Sequence, residues 1–182
     1  KVFTADAAID FEVLFILGYT TVLPENILET NKLNLVIHES ALPAGRGFSP
    51  VQWQVIEGAT HIPVCLIEAT EKVDEGDVLG SAVIDLLGDE LFSEIRLAQA
   101  NVTKQLIVKF LSEYPKLNRK FQVGVPSYYR RRNRDDDKLD FNASLASQFN
   151  KLRIVDNERY PAYFDVNKNR YELIIRKVEK DE

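Results

Sequence analysis

The stretch Leu33-Asn34-Leu35-Val36-Ile37-His38 decides the fold. It is mostly apolar on both faces of an extended chain, which indicates a strand buried in a sheet that is covered on both sides. A second buried strand is predicted within residues 12–18, and helix signals over residues 24–30 lie between the two strands. Because a helical crossover makes neighbouring strands parallel, the segment predicts a right-handed βαβ unit.

Strands and helices continue to alternate outward from this unit. The pattern predicts a loop over 41–49, a helix over 51–56, a strand over 62–67, an extended piece over 78–86 and an amphipathic helix over 90–111. It then predicts irregular chain over 116–140, a helix over 143–155 and a hairpin over 160–178. We therefore expect an α/β fold with an open, mostly parallel, doubly wound sheet in residues 1–118. Residues 119–182 would form a linker and a small C-terminal α+β arm, built from a helix and a hairpin.

The composition limits the class of protein. The chain has 182 residues, of which 45% are hydrophobic and 28% charged, as in a globular domain. No run approaches the roughly 18 apolar residues of a spanning helix, and the first residues lack the apolar core of a signal peptide. We expect a soluble, cytoplasmic protein without a membrane partner. With two histidines and one cysteine, Cys65, the sequence predicts no metal site.

The net charge bears on nucleic-acid partners. At −5, the chain lacks the basic field that sequence-independent binding requires. Its densest positive run, residues 130–134, is followed at once by Asp135-Asp136-Asp137, a pattern typical of a solvated loop. The charge therefore predicts no DNA partner and disfavours tRNA.

Candidate site residues follow from the rule that ligands bind beyond the carboxyl ends of parallel strands. That rule selects Gly18-Tyr19, His38 and the acidic turn around Asp74. A carboxylate beside the imidazole of His38 would orient it and favour its protonated form, as general acid–base chemistry needs. A hydrogen-bonded structural histidine and a solvated acidic turn fit the same residues. No Gly-rich phosphate loop or Gly-x-Ser-x-Gly elbow occurs.

The order of the motifs resembles a known family. His38-Glu39-Ser40, Leu42-Pro43, Gly45-Arg46-Gly47 and later Val73-Asp74-Glu75-Gly76-Asp77 are together similar to the catalytic domain of formyltransferases that use 10-formyltetrahydrofolate. Residues 128–132, 149–153 and 160–164 resemble the segment that follows this domain in the methionyl-tRNA and nucleotide-sugar members. In that family about 70 residues, the first half of the doubly wound domain, precede the part present here, so we expect the front half to be missing.

The resemblance implies catalytic roles. His38 would stabilise the oxyanion, and Asp74 would hold His38 and assist proton movement. The family's Asn-x-His motif would place an asparagine at position 36, where this chain has Val36. The nearest asparagine, Asn34, lies on the same strand face but roughly 6.6 Å earlier. Either Asn34 or another donor, such as a backbone N–H, replaces the usual amide, or activity is reduced.

The resemblance also implies binding residues. The co-substrate 10-formyltetrahydrofolate would lie against two segments, at Gly18, Tyr19, Thr20, Leu23, Pro24, Ala69, Thr70 and Asp77. The amine substrate would approach Ser40, Arg46 and Gly47. Tyr128, Tyr129 and the arginine run fit either a nucleotide contact or a packing seam.

The predicted function is therefore transfer of a formyl group from 10-formyltetrahydrofolate to the amine of a nucleotide-linked amino sugar. Two alternatives stay open. The first is a methionyl-tRNA formyltransferase or another small-amine formyltransferase, and the second is a non-catalytic remnant that binds folate or a nucleotide. A homodimer is also left open.

Overall fold

The computed structural model describes residues 10–19 and 25–178. The strands are β1 (Leu14–Ile16), β2 (Asn34–His38), β3 (Arg46–Gly47), β4 (His61–Glu68), β5 (Val78–Asp85), β6 (Tyr128–Tyr129), β7 (Ala162–Val166) and β8 (Asn169–Leu173). The helices are α1 (Glu25–Thr30), α2 (Pro50–Ile56), α3 (Phe92–Glu113), α4 (Leu145–Arg153) and a short 3-10 helix, Arg134–Asp137. The four α-helices and the strands β1, β2, β4 and β5 lie where the sequence predicts them, whereas β3 lies in the predicted loop and β6 and the 3-10 helix lie in the segment predicted as irregular. None of these described helices is long and apolar enough to cross a membrane.

The main sheet is open and has the strand order β1-β2-β4-β5. β1 and β2 are parallel, with Leu14 beside Asn34, and α1 joins them as predicted. This confirms the predicted α/β class. The described part of the sheet is mixed, since β4 runs antiparallel to β2 and β5 antiparallel to β4.

The direction of β4 corrects one expectation. We expected His38 and Asp74 to follow adjacent parallel strands, but β4, which leads to Asp74, is antiparallel to β2. The connecting helix α2 has seven residues and spans roughly 10 Å, whereas a five-residue strand spans roughly 17 Å. The chain therefore does not return along the sheet, and β4 begins beside the end at which β2 finishes.

The hydrophobic core is continuous between the body and the C-terminal arm. Leu35, Ile62, Leu66 and Ile84 of the sheet are fully buried. They belong to one cluster that also contains residues from α2, α3, α4 and the arm, including Val55, Leu106, Leu139, Leu152 and Ile154. The arm thus packs on the body rather than standing apart from it.

The arginine run is partly solvated, as predicted, and partly packed, since Arg130 and Arg131 are exposed whereas Arg132 and Arg134 are half-buried. Arg132 and Arg134 both pair with the buried Asp137, and Arg130 pairs with Asp136. The hydrogen bonds from Arg130 lower the pKa of Asp136 to about 2. Most of this positive charge therefore holds the start of the arm in place.

Candidate active site

A cavity of about 830 Å³ opens where β2 ends. Its walls come from the ends of β1 and β2, the loop after β3, the loop after β4 and one side of α3. His38 and Asp74 both line it, although each side chain is less than 10% exposed. The cavity therefore reaches a buried imidazole and a buried carboxyl group at one point.

The two ring nitrogens of His38 have different partners. Nε2 lies 2.8 Å from the main-chain oxygen of Gly45, and Nδ1 lies 3.4 Å from Oδ1 of Asp74. Because a carbonyl oxygen only accepts, Nε2 carries a hydrogen. Nδ1 then faces Oδ1 of Asp74, and a hydrogen on one of these two atoms prevents repulsion between the nitrogen lone pair and the carboxylate. The pair is thus built to hold and move a proton.

Asp74 reaches His38 through a loop that folds back along the sheet. β4 ends beside the start of β2, where the Ala69 N–H donates to the main-chain oxygen of Asn34 over 2.8 Å. The loop then returns toward the other end of β2. There Asp74 adopts a left-handed backbone conformation, with φ 57°, and its Oδ2 accepts a 2.8 Å hydrogen bond from the Gly47 N–H. One carboxyl group therefore joins two loops and the histidine.

Two glycines make this arrangement possible. A Cβ on Gly76 would lie 1.8 Å from the main-chain oxygen of Glu68, so only glycine lets the loop pass so close to β4. Gly47 has φ 98°, and a Cβ there would lie 2.4 Å from the main-chain oxygen of Tyr129. The glycine at 47 therefore allows β3 to pair with β6 while its N–H points to Asp74.

Gln122 holds the Asp74 loop, and sequence reasoning missed it. Its Nε2 donates to the main-chain oxygens of Asp74 and Gly76 over 2.8 and 2.9 Å. Its Oε1 accepts a 2.7 Å hydrogen bond from Arg46. A lone glutamine in a polar linker gives no sequence signal, because its partners lie more than 40 residues away in the chain.

We expect Gln122→Ala to destabilise the protein by about 1–3 kcal/mol, because two loop carbonyls and a buried guanidinium lose a partner. The same change should lower kcat/KM for formyl transfer, the activity that the motif resemblance implies, since Asp74 is no longer held in place. Chemical denaturation and steady-state kinetics measure both effects. Phe121→Ser, at a neighbouring side chain that is 83% exposed, is the matched control. Equal stability of the two variants would contradict the anchoring role.

The structure brings only some of the predicted binding residues to the cavity. Those that line it are Gly18, Tyr19, Gly47, Ala69 and Thr70. Thr20, Leu23 and Pro24 lie outside the described residues. Asp77 does not line the cavity, and its main-chain oxygen instead accepts a hydrogen bond from the Glu68 N–H.

Asn34 does not contact the His38–Asp74 pair. Its Nδ2 donates to the main-chain oxygen of Leu28, and its Oδ1 accepts from Asn31, both over 3.1 Å. Val36 lines the cavity at the position where the resemblance requires an asparagine. Two residues of strand rise separate the amide from the site, and α1 and the turn after it hold that amide.

Ser40 and Arg46 also differ from expectation. Ser40 is 2% exposed, does not line the cavity, and its hydroxyl has no hydrogen-bond partner among the described residues. The Arg46 guanidinium is buried and bonds Glu75, Gln122 and Tyr128. Instead of facing substrate phosphates, Arg46 links the loop that carries Asp74 to the linker.

Basic side chains and the aromatic ring of Phe48 line the cavity together, a combination that the sequence did not predict. The Arg131 guanidinium lies 4.3 Å from the centre of the Phe48 ring, and both residues line the cavity. Three further cations, Lys72, Arg96 and Lys104, line it as well. No group of three or more potential metal-ligating side chains is found within residues 10–19 and 25–178.

Comparison with known proteins agrees with this geometry. Residues 3–111, more than half of the chain, match the formyl transferase family model. This chain belongs to the formyl transferase family. The resemblance that the motifs indicated is thereby confirmed.

Individual relatives and solved structures are similar to most of this chain. The methionyl-tRNA formyltransferase of Rickettsia bellii (strain RML369-C) is 30% identical over 148 residues, which cover 80% of this chain and 48% of that protein. The chain thus spans about half the length of the curated relatives it matches. Of the solved structures, HypX from Aquifex aeolicus in complex with tetrahydrofolic acid superposes with a TM-score of 0.75 at 16% identity, covering 87% of this chain and 28% of HypX. A sugar N-formyltransferase from Shewanella sp. FDAARGOS_354 superposes with a TM-score of 0.71 at 14% identity, covering 93% and 71%.

These relatives overturn the prediction about tRNA. The negative net charge disfavoured a tRNA partner, yet several curated relatives are methionyl-tRNA formyltransferases. That prediction was wrong, because the net charge of a chain does not describe the local charge around its site.

Proposed function

We propose that this protein transfers a formyl group from 10-formyltetrahydrofolate to a primary amine. The proposal rests chiefly on one observation, the buried His38–Asp74 pair that opens onto a single large cavity. Membership of the formyl transferase family supports the reaction class.

The cavity fits a folate in size and lining. Its volume of about 830 Å³ falls in the range of small-molecule sites. The residues that line it include the apolar Ile16, Val36 and Val73 as well as Gly18 and Ala69. Such walls suit a flat, partly polar ring. The bound folate would supply the formyl carbon that the amine attacks.

His38 and Asp74 supply the proton chemistry. Formyl transfer places negative charge on the formyl oxygen, and it requires a proton to move from the attacking amine to the leaving nitrogen. Protonated His38 can stabilise the negative charge on the formyl oxygen, and Asp74 can stabilise the imidazolium. The side chain of Val36 has no hydrogen-bond donor, so position 36 cannot supply the side-chain amide that the family motif provides.

We propose a nucleotide-linked amino sugar as the acceptor. Phe48, 40% exposed and flanked by Arg131, offers a face for a base or sugar ring. Lysine and arginine side chains that line the same cavity, such as Lys72 and Lys104, offer charge for phosphates. Methionyl-tRNA is the second candidate acceptor, because the curated relatives named for it match 80% of the chain at 30% identity.

An assay with purified protein, 10-formyltetrahydrofolate and each acceptor separates the candidates. Formylation of UDP- or dTDP-linked amino sugars, detected by mass spectrometry, is the expected result. Formylation of methionyl-tRNA alone would replace the acceptor and keep the reaction. Folate binding without formylation of any amine would contradict the proposed reaction and favour a binding remnant.

A further inference from the structure

Glu39 is a carboxylate in the cavity wall that the reaction described above does not use. It follows His38 directly in the chain and lines the same cavity. Its backbone is held because its main-chain oxygen accepts a 2.7 Å hydrogen bond from Gln54 of α2. Glu39 therefore lines, on a backbone held by α2, the same cavity that His38 lines.

The side chain of Glu39 is also held on one side only. Its Oε1 accepts a hydrogen bond from Nε2 of Gln99 on α3, and Gln99 in turn accepts from Arg96 over 2.8 Å. Within the described ranges, no lysine, arginine or histidine nitrogen lies within 4 Å of this carboxylate. By contrast, the other glutamate of the cavity wall, Glu68, pairs with Arg119 over 2.8 Å.

A half-buried carboxylate without a cationic partner can bind a positively charged group of a ligand. Charged groups that leave water need an opposite charge, and here one carboxylate oxygen of Glu39 remains for it. Amines near neutral pH are largely ammonium ions, and an ammonium ion cannot attack a carbonyl carbon until it loses a proton.

We propose that Glu39 binds the ammonium group of the acceptor and takes its first proton. This inference rests on the proposed function. The carboxylate accepts one proton from the ammonium and passes it to solvent through the cavity mouth. The neutral amine then forms the new N–C bond, and the bond between the formyl carbon and the folate nitrogen breaks. The second amine proton moves through His38 to that nitrogen, and for this step the ring exchanges its hydrogen bond to the Gly45 oxygen for one to the substrate. The acceptor nitrogen thus loses two protons, and each has a named acceptor.

Glu39→Gln tests the proposal, because glutamine keeps the hydrogen bond to Gln99 and removes only the charge. Calorimetry in the presence of tetrahydrofolate compares a UDP- or dTDP-linked amino sugar with the same nucleotide sugar carrying a hydroxyl in place of the amine. We expect the parent protein to bind the amino sugar roughly tenfold more tightly or better, and the variant to lose that preference. With 10-formyltetrahydrofolate, kcat of the variant should fall about 100-fold.

Glu113→Gln, at an exposed carboxylate at the end of α3, is the matched control and should keep both the preference and kcat. A parent protein that binds both sugars equally would overturn the role of Glu39 while leaving the formyl acceptor class intact. Loss of the preference with unchanged kcat would overturn the proton step. A parent that binds neither sugar would overturn the proposed acceptor and this inference with it.

Discussion

Replacing His38 by alanine should lower kcat for formyl transfer by about 10³-fold, because the group that meets the developing charge and moves the proton is lost. The imidazole lines the cavity and lies between the main-chain oxygen of Gly45 and the carboxyl group of Asp74. The walls proposed to hold folate are formed by other residues. Folate affinity, measured by fluorescence titration, should therefore change little.

His38→Gln guards against a variant that merely fails to fold. The glutamine amide can still donate to the oxygen of Gly45, so the loop after β2 keeps its anchor. It has no titratable nitrogen to replace the ring. We expect the same loss of turnover at a melting temperature close to that of the parent. Turnover within a few-fold of the parent in both variants would refute the assigned role.

Asp74→Asn should lower kcat by about 10²- to 10³-fold and leave the fold intact. Asparagine tolerates the left-handed backbone at this position, and its Oδ1 can still accept from the Gly47 N–H. Its amide would instead donate to Nδ1 of His38, which fixes the ring as neutral and removes the shared proton.

Kinetics of Asp74→Asn separate this electrostatic role from a positioning role. The loss should appear in kcat, with the KM for 10-formyltetrahydrofolate largely preserved, because the loop keeps its hydrogen bonds to Gln122. A rise in KM at constant kcat would show that Asp74 only shapes the folate site.

Strand and helix positions followed from hydrophobic periodicity, which is local. The apolar run ending at His38 and the three- and four-residue spacing of α3 appear in the structure within two residues of their predicted ends. Strand direction did not follow. It depends on whether α2 is long enough to carry the chain back along the sheet, which the alternation of elements does not state.

The site residues also fall into those that the sequence predicted and those that only the structure showed. His38 and Asp74 were found because they stand in ordered motifs, and the structure brings them within 3.4 Å. Gln122, the burial of Arg46 and the Glu39–Gln99 contact had no such signal. Each depends on a partner distant in the chain, and a hydrogen bond between distant residues leaves no period in the sequence.

By itself, the sequence determined the family and the order of the main elements, and it proposed His38 and Asp74 as the imidazole and the acid. The reason is that the spacing of apolar residues and the order of the motifs can both be seen directly in the sequence. Only the tertiary structure decided that the acid arrives on a loop folded back beside an antiparallel strand, and that Arg46 faces inward. Both features depend on contacts between segments distant in the chain. Gly76, for example, lies so close to the main chain of Glu68 that no side chain fits there.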